Sequence, residues 1–321
     1  MSFTHEHSCK LAAAPRRVFV ALTAPDEMTQ WFAEHVEVGQ GVGEPYRFWG
    51  RHSLDTPTVA DASQRLLRYE RDRALSFAWT LGRVPTEVTI TLNADAESTR
   101  VVLHHAVNGE LDRPRAKALI DDHWRLAFGN LAAHLAGDGG VALPDYADPA
   151  PRIRQVVLID APREVVVRCL IEPALINQWF GTSTSSVEPR VGGRYSVNWQ
   201  YEIEGRQVQG GPTRILELVP DRRLVLDWPD WRGDASVAGQ TISFELESVG
   251  AATRLTFVHA GFDRAADMSD YPFGWRWFLG ELTKVALKVG ADDGSEVASE
   301  SESVVAPSTS GDDGASAERR P

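Results

Sequence analysis

The stretch that decides the fold is APRRV at residues 14–18, because it recurs as APREV at 161–165. The triplet QWF at 30–32 recurs in the same way at 178–180. The two offsets are 147 and 148 residues. A period near 150 is far longer than the roughly 20–50 residues of a solenoid unit and matches a whole domain. The sequence therefore predicts a tandem duplication.

The same register continues to the end of both copies, with small insertions and deletions between the matched positions. The matched residues include the pairs Val42 and Val191, Tyr46 and Tyr195, Trp79 and Trp228, His105 and His259, and Trp124 and Trp275. Any function must therefore be argued for two related but diverged pockets.

Composition narrows the class of protein. The chain has 321 residues, of which 43% are hydrophobic and 24% charged, as in an ordinary pair of globular domains. The net charge is −12, and residues 291–321 alone carry eight acidic and two basic side chains. With no basic stripe to neutralise phosphates, we expect no nucleic-acid partner.

The cysteines, the histidines and the apolar runs indicate which cellular compartment and which metal content to expect. Cys9 and Cys169 are not at equivalent places, so they indicate neither a disulfide framework nor a metal set. His5 and His7 are expected in a solvated terminus, and we expect no metal and no cofactor. No signal peptide and no apolar run near 20 residues is visible, so we expect a cytoplasmic protein without membrane insertion.

Each half predicts the same order of elements. A strand (8–13; 152–160) is followed by two short helices that begin near prolines, which suit the first helical position. Aromatic strands at 46–49 and 195–199 come next. Four further strands are expected in each half, at 64–70, 74–81, 86–93 and 99–106, and at 213–219, 223–228, 239–247 and 253–259. An amphipathic helix ends each half, which gives an α+β plan.

The domain boundaries follow from the repeat. We expect a degenerate first domain at 1–137, a linker at 138–151, a second domain at 152–290 and a disordered acidic tail at 291–321. The tail is almost free of large apolar groups and cannot repay the entropy of ordering.

The repeated residues resemble the helix-grip (START/SRPBCC) superfamily, which includes START domains, the major birch pollen allergen and polyketide cyclases. Within it, each half resembles the C-terminal-like domain of activators of heat-shock protein 90 ATPase (AHSA-like). The matching motifs, clearest in the second half, are APRxV, QWF, VGGRY at 191–195, PDRRL at 220–224, HAGF at 259–262 and GWxxFL at 274–279. The first half departs from the pattern, with GVGE at 41–44 and Asn108-Gly109.

The resemblance implies a curved antiparallel sheet wrapped around a long C-terminal helix, with an apolar cavity between them. Related cavities hold hydrophobic small molecules. We therefore expect the second half to bind a hydrophobic or amphipathic small molecule through Trp179, Tyr195, Trp199, Trp228, Phe257 and Trp275, oriented by His259 and Asp227. The plainer alternatives are core tryptophans, a strand-end histidine and a β-turn aspartate.

Two other functions stay open at this point. A cyclase- or hydrolase-like enzyme would use a titrating group in the same cavity, although we expect a binding protein rather than an enzyme. A co-chaperone or other protein-interaction module, with a chaperone as partner, is suggested by the family that the chain resembles.

Overall fold

The structure, a computed structural model, describes residues 2–203, 205–237 and 239–303. The first half begins with strand β1 and two short helices and ends with a long helix. Its elements are β1 (Phe3–Leu11), α1 (Pro15–Thr23), α2 (Pro25–Trp31), β2 (His35–Val38), β3 (Tyr46–Trp49), β4 (Arg65–Glu70), β5 (Ala74–Leu81), β6 (Val84–Asp95), β7 (Ser98–Val107) and α3 (Ala116–Ala136).

The second half repeats this order. Its elements are β8 (Arg152–Ile159), α4 (Arg163–Ile171), α5 (Pro173–Phe180), β9 (Ser186–Val187), β10 (Tyr195–Ser196), β11 (Trp199–Ile203), β12 (Arg206–Gly210), β13 (Ile215–Val219), β14 (Arg223–Trp228), β15 (Gln240–Val249), β16 (Ala252–Ala260), a 3₁₀ helix (Ala265–Met268) and α6 (Tyr271–Ser303).

The two large sheets have the same topology. The first has the strand order β1-β7-β6-β5-β4 and the second has β8-β16-β15-β14-β13, and every pairing in them is antiparallel. A register shift falls at the same place in each, between Leu66 and Arg68 and between Ile215 and Glu217. Shifts of this kind bend a strand, and the shared position indicates that both copies inherited one bend.

The long helix of each half lies over its sheet and is fixed there by a tryptophan. The Trp124 indole N–H donates to Nδ1 of His105 on β7 at 2.9 Å, and the Trp275 indole N–H donates to Nδ1 of His259 on β16 at 3.0 Å. All four side chains are buried. Each half is therefore a helix-grip domain with its core between the sheet and the helix, which confirms the predicted α+β class.

Most predicted elements are present, with corrections at three places. Strand β1 begins at Phe3 rather than at residue 8, so His5 and His7 lie in a sheet and not in a solvated terminus. The stretch 195–199 is not one strand, because Asn198 has a positive φ of 55° and separates β10 from β11. Strands β2, β9 and β12 were not predicted from the sequence.

Helix α6 extends beyond the predicted end of the second domain. It runs to Ser303, and residues 304–321 of the predicted tail lie outside the described residues. The domain boundaries therefore stay predictions. No described helix combines the length and the apolar character that crossing a membrane requires.

Ion pairs join the two halves. The Arg232 guanidinium contacts the carboxylates of Asp121 and Asp122 on α3, with Nη2 of Arg232 at 2.7 Å from Oδ1 of Asp122. Arg115 pairs in the opposite direction with Asp263 at 2.7 Å. The carboxylates raise the pKa of Arg232 above its ordinary value although its burial acts against them. The junction is thus held by charged groups that are themselves largely removed from water.

Candidate functional site

An open groove in the second half is lined mainly by aromatic side chains. We call it the aromatic groove; its volume is about 900 Å³. It lies between the β11–β12 hairpin, the end of β14 with the loop after it, and the beginning of α6. Its walls include Phe180, Trp199, Tyr201, Trp228, Trp231, Asp270, Tyr271, Trp275, Trp277 and Phe278. This volume is within the range of small-molecule pockets.

Ring contacts hold the walls of the groove in place. Trp199 on β11 stacks on Phe278 of α6 with centroids 5.5 Å apart, and Phe180 meets Trp199 edge to face at 5.1 Å. Trp228 meets Trp275 edge to face at 5.0 Å. These geometries are the favourable ones for aromatic pairs. The rim is more exposed, since Trp277 is 56% accessible and Tyr201 is 39% accessible.

Two polar features face the groove. The Trp228 indole N–H donates to the Tyr271 hydroxyl at 3.1 Å. That oxygen therefore accepts a hydrogen bond while its own proton stays available to a ligand. Burial raises the pKa of Tyr271, so the hydroxyl is a neutral donor at pH 7. The first half supplies the second feature, Arg125 of α3, which pairs with Asp270 at 3.3 Å.

The Arg125 guanidinium also lies over Trp231, 5.1 Å from the ring centroid, and Arg232 stacks on the same indole at 4.2 Å. Cations over an indole face are a favourable arrangement. The groove thus carries one guanidinium beside its aromatic walls, together with the carboxylates of Asp270 and Glu202. Among the described residues, no group of histidines, cysteines and carboxylates suited to a metal lies in it.

Three of the eight residues that the sequence predicted line the groove, namely Trp199, Trp228 and Trp275. The other five lie behind it or beside it. Trp179, Tyr195, Phe257 and His259 are fully buried in the core. The Trp179 indole donates to the carbonyl of Cys169 at 2.8 Å, and the Tyr195 hydroxyl donates to the carbonyl of Leu170 at 2.9 Å.

His259 lies directly behind the groove wall. Its Nδ1 accepts from the Trp275 indole, and its Nε2 lies 2.9 Å from Oε1 of Gln240. This arrangement assigns the ring proton to Nε2. Burial lowers the pKa of His259 to about 3, so the ring is neutral. His259 thus sets the position of Trp275 and does not itself reach the groove.

Asp227 fixes the backbone near the groove. Its carboxylate accepts from the backbone amides of Thr213 and Arg214 at 2.7 and 2.8 Å and from the Thr213 hydroxyl at 2.5 Å. These bonds occupy both carboxylate oxygens. Asp227 therefore ties the segment before β13 to β14.

The core of the first half holds only a small cavity. An apolar cavity among Trp31, Phe32, Tyr46 and Phe77 has a volume of only about 10 Å³, roughly the space of one water molecule. Tyr146, which follows α3 in the predicted linker, packs against the ring of His123 at the end of this core. Its hydroxyl lies 2.6 Å from Nδ1 of His123, and its amide donates to the carbonyl of Arg51 at 2.9 Å.

A second groove, of about 1100 Å³, lies at the junction of the two halves. Its charged lining is already paired: Arg113 with Asp55 at 2.6 Å and Arg115 with Asp263 at 2.7 Å. A ligand there would have to displace these pairs. The aromatic groove instead presents ring faces and one free hydroxyl proton.

Sequence reasoning missed Tyr271 and Arg125. Tyr271 lies four residues before the repeated Trp275, at a position occupied by Ile120 in the first half. This difference between the copies was the available signal. Arg125 gave no signal, because its place at the groove depends on the contact between the halves.

The sequence matches a known family twice. A family model described as "Activator of Hsp90 ATPase homolog 1-like protein" matches residues 12–136 and again 160–286. The chain belongs to this family. No significant match is found among curated proteins.

Three solved structures are similar to this chain at low identity. DynU16, a protein of the dynemicin biosynthetic locus, is 19% identical, with 88% of this chain and 98% of that chain covered and a TM-score of 0.36. The Aha1 dimer from Colwellia psychrerythraea is 23% identical (42% and 96% covered, TM-score 0.34). CalU16 from Micromonospora echinospora is 23% identical (47% and 87% covered, TM-score 0.34). At these scores the likenesses carry no functional argument.

Proposed function

We propose that the protein binds an amphipathic, aromatic small molecule in the aromatic groove of its second half. The observation that carries the proposal is the groove itself: about 900 Å³ walled by Trp199, Trp228, Trp275 and Phe278. Covering such walls removes apolar surface from water, worth about 25 cal/mol per Å². The ring faces also favour a planar partner.

Polar groups at the groove select the head of the ligand. The Tyr271 hydroxyl donates to a ligand oxygen or nitrogen, and the Arg125 guanidinium pairs with an acidic substituent in place of its present partner Asp270. Because Arg125 comes from α3, the first half contributes to a site that lies mainly in the second. The ligand is therefore an aromatic compound with an anionic or hydrogen-bonding head.

The eight sequence-predicted residues then divide into two roles. Trp199, Trp228 and Trp275 contact the ligand. The remaining five hold the walls from behind, as His259 does for Trp275 and Asp227 does for the segment before β13. Substitutions of this second group are expected to alter stability before they alter ligand selectivity.

The test is a fluorescence titration with 8-anilinonaphthalene-1-sulfonate, a planar aromatic anion, on the full chain. Trp199→Ala should weaken binding by about tenfold or more, equivalent to about 1.4 kcal/mol. The matched control is Trp49→Ala, which removes a partly exposed indole of β3 in the first half. Equal affinities for wild type and Trp199→Ala would exclude the groove as the binding site.

Native mass spectrometry of freshly purified protein would identify a natural ligand. We expect one small molecule per chain in wild type and none in Trp199→Ala, with the molecule then identified after solvent extraction. The proposal would be contradicted if the wild-type protein has no bound small molecule in native mass spectrometry and does not bind 8-anilinonaphthalene-1-sulfonate.

The family description supports a second candidate, a protein-interaction role with a heat-shock chaperone as partner. The exposed rim residues Trp277 and Tyr201 suit a protein surface as well as a small molecule. Binding of purified Hsp90, lost in Trp277→Ala and kept in Trp199→Ala, would favour this role. Failure to bind Hsp90 would remove it.

A further inference from the structure

The first strand brings two imidazoles to the same face of the first sheet. His5 and His7 are two residues apart on β1, so their side chains point to the same side. Both are half-buried, whereas Thr4, Glu6 and Ser8 between and beside them are exposed. The buried side of β1 faces helix α3, where the His7 ring stacks on Phe128 with centroids 5.2 Å apart.

Helix α3 adds a carboxylate to this pair. Oδ1 of Asp121 lies 3.9 Å from Nε2 of His5, and one ligand atom from each of His5, His7 and Asp121 lies within 4.8 Å of the others. Nε2 of His5 is buried and has no hydrogen-bond partner among the described residues. A buried imidazole nitrogen without a partner is costly and requires an explanation.

We propose that His5, His7 and Asp121 form a binding site for a divalent transition-metal ion, of the Zn²⁺ or Co²⁺ type. Two imidazole nitrogens and one carboxylate oxygen are three ligands that such ions take, with water completing a tetrahedron. Ligand distances near 2.0–2.1 Å place the donor atoms about 3.3 Å apart. Side-chain rotations at the edge strand bring the present separations to that value.

Two neighbouring arginines already contact Asp121, and each has a second carboxylate partner. Asp121 also accepts from Arg125 and Arg232. Arg232 keeps its two bonds to Asp122, at 2.7 and 3.1 Å, when Asp121 turns to a metal. Arg125 keeps Asp270. Each guanidinium therefore keeps one carboxylate partner when Asp121 coordinates the metal ion.

The site would connect an edge strand to the long helix. Strand β1 is at the edge of its sheet and pairs only with β7 among the described strands. A metal held jointly by β1 and α3 would fasten this edge onto the helix. It binds the folded form alone, so it stabilises the first half by mass action.

The test is a Co²⁺ titration of the full chain, freed of any affinity tag and stripped with a chelator. We expect visible d–d absorption bands that saturate at one Co²⁺ per chain and disappear when Zn²⁺ is added. Zn²⁺ at about 100 times its Kd should raise the Tm of the first transition by about 5 °C.

His5→Gln and His7→Gln should each lose the bands and the Tm shift. The matched control is His104→Gln, an exposed histidine of β7 that pairs with Glu6 at 3.8 Å; it should bind Co²⁺ as wild type does. No Co²⁺ uptake by wild type, or uptake unchanged in both His5→Gln and His7→Gln, would overturn the proposal. Neither result depends on whether the aromatic groove binds a ligand.

Discussion

The two halves of the chain share one plan and differ in what lies at the open end of the core. In the second half, Trp199 and Tyr271 border a groove of about 900 Å³. In the first half, Tyr146 packs against His123 there, and the apolar cavity in the core is about 10 Å³. A short segment after α3 therefore covers part of the apolar core in the first half, while the two sheets share one topology.

The halves also differ in how their buried polar groups are satisfied. In the second half, Nε2 of His259 meets Gln240 and the Trp228 indole meets Tyr271. In the first half, Nε2 of His105 and the Trp79 indole N–H have no partner among the described residues. The network behind the groove is complete at these positions in the second copy, and the first copy lacks parts of it.

The largest expected effect comes from opening the first half. Tyr146→Ala removes a ring from the covered end and leaves Nδ1 of His123 without its partner, so we expect a loss of about 3 kcal/mol in the free energy of unfolding. The number of 8-anilinonaphthalene-1-sulfonate molecules bound per chain should rise from one to two. Urea denaturation and a probe titration measure the two quantities.

Tyr69→Ala is the control for this change. Tyr69 on β4 packs on Phe19 with centroids 5.3 Å apart, away from the covered end. It should destabilise the first half and leave one probe site. If Tyr146→Ala also keeps one site, Tyr146 is not what closes the first half.

The next largest effect is a difference between the halves in how much folding stability each loses at acidic pH. Burial lowers the pKa of His105 and of His123 to about 3 in the first half, and the same cause lowers that of His259 to about 3 in the second. The unfolded chain takes up these protons near pH 6.5 and the folded chain does not, so stability is full above pH 6.5 and falls as the pH decreases toward 3.

The expected loss between pH 7.5 and 5.5 is about 1.4 kcal/mol per buried histidine. Asp122 acts in the opposite sense, because burial raises its pKa to about 6 and it takes up a proton in the folded state. The first half should still lose about 2 kcal/mol and the second about 1.4. Pulse-labelling hydrogen exchange in moderate urea with EDTA measures both, and a second half that opens first would contradict this order.

The smallest effect concerns a single hydroxyl. Tyr271→Phe leaves the Trp228 indole without its acceptor, as Trp79 is in the first half, and should cost about 1 kcal/mol. It should also weaken probe binding a few-fold. The control is Tyr195→Phe, which removes a buried hydroxyl bonded to the carbonyl of Leu170. It should reduce the free energy of unfolding by a similar amount and leave the affinity for the probe unchanged. Equal affinities in the two variants would remove Tyr271 from the site.

The sequence predicted the framework well because the framework is local. Prolines at 15, 25 and 173 stand at helix starts, and alternating apolar residues mark strands such as β6 and β16. Strand β12 was missed because its five residues include a single large apolar side chain, Val208.

The site was predicted only in part because it depends on contacts between distant segments. Trp199, Trp228 and Trp275 could be named as repeated or clustered aromatics. Phe257 and His259 are also aromatic or repeated residues, but they are fully buried in the core behind the groove wall. The alternation along a strand does not distinguish a core residue from one that lines a groove. Arg125 reaches the groove from the other half of the chain.

The most direct test of the account is an ¹⁵N–¹H spectrum of the ten tryptophan indoles during titration with 8-anilinonaphthalene-1-sulfonate. We expect the largest shifts at the five indoles of the aromatic groove, Trp199, Trp228, Trp231, Trp275 and Trp277, and little change at Trp31, Trp79 and Trp124 of the first half. Shifts concentrated at the first-half indoles, or none at the groove, would contradict the claim that the ligand site is the aromatic groove of the second half.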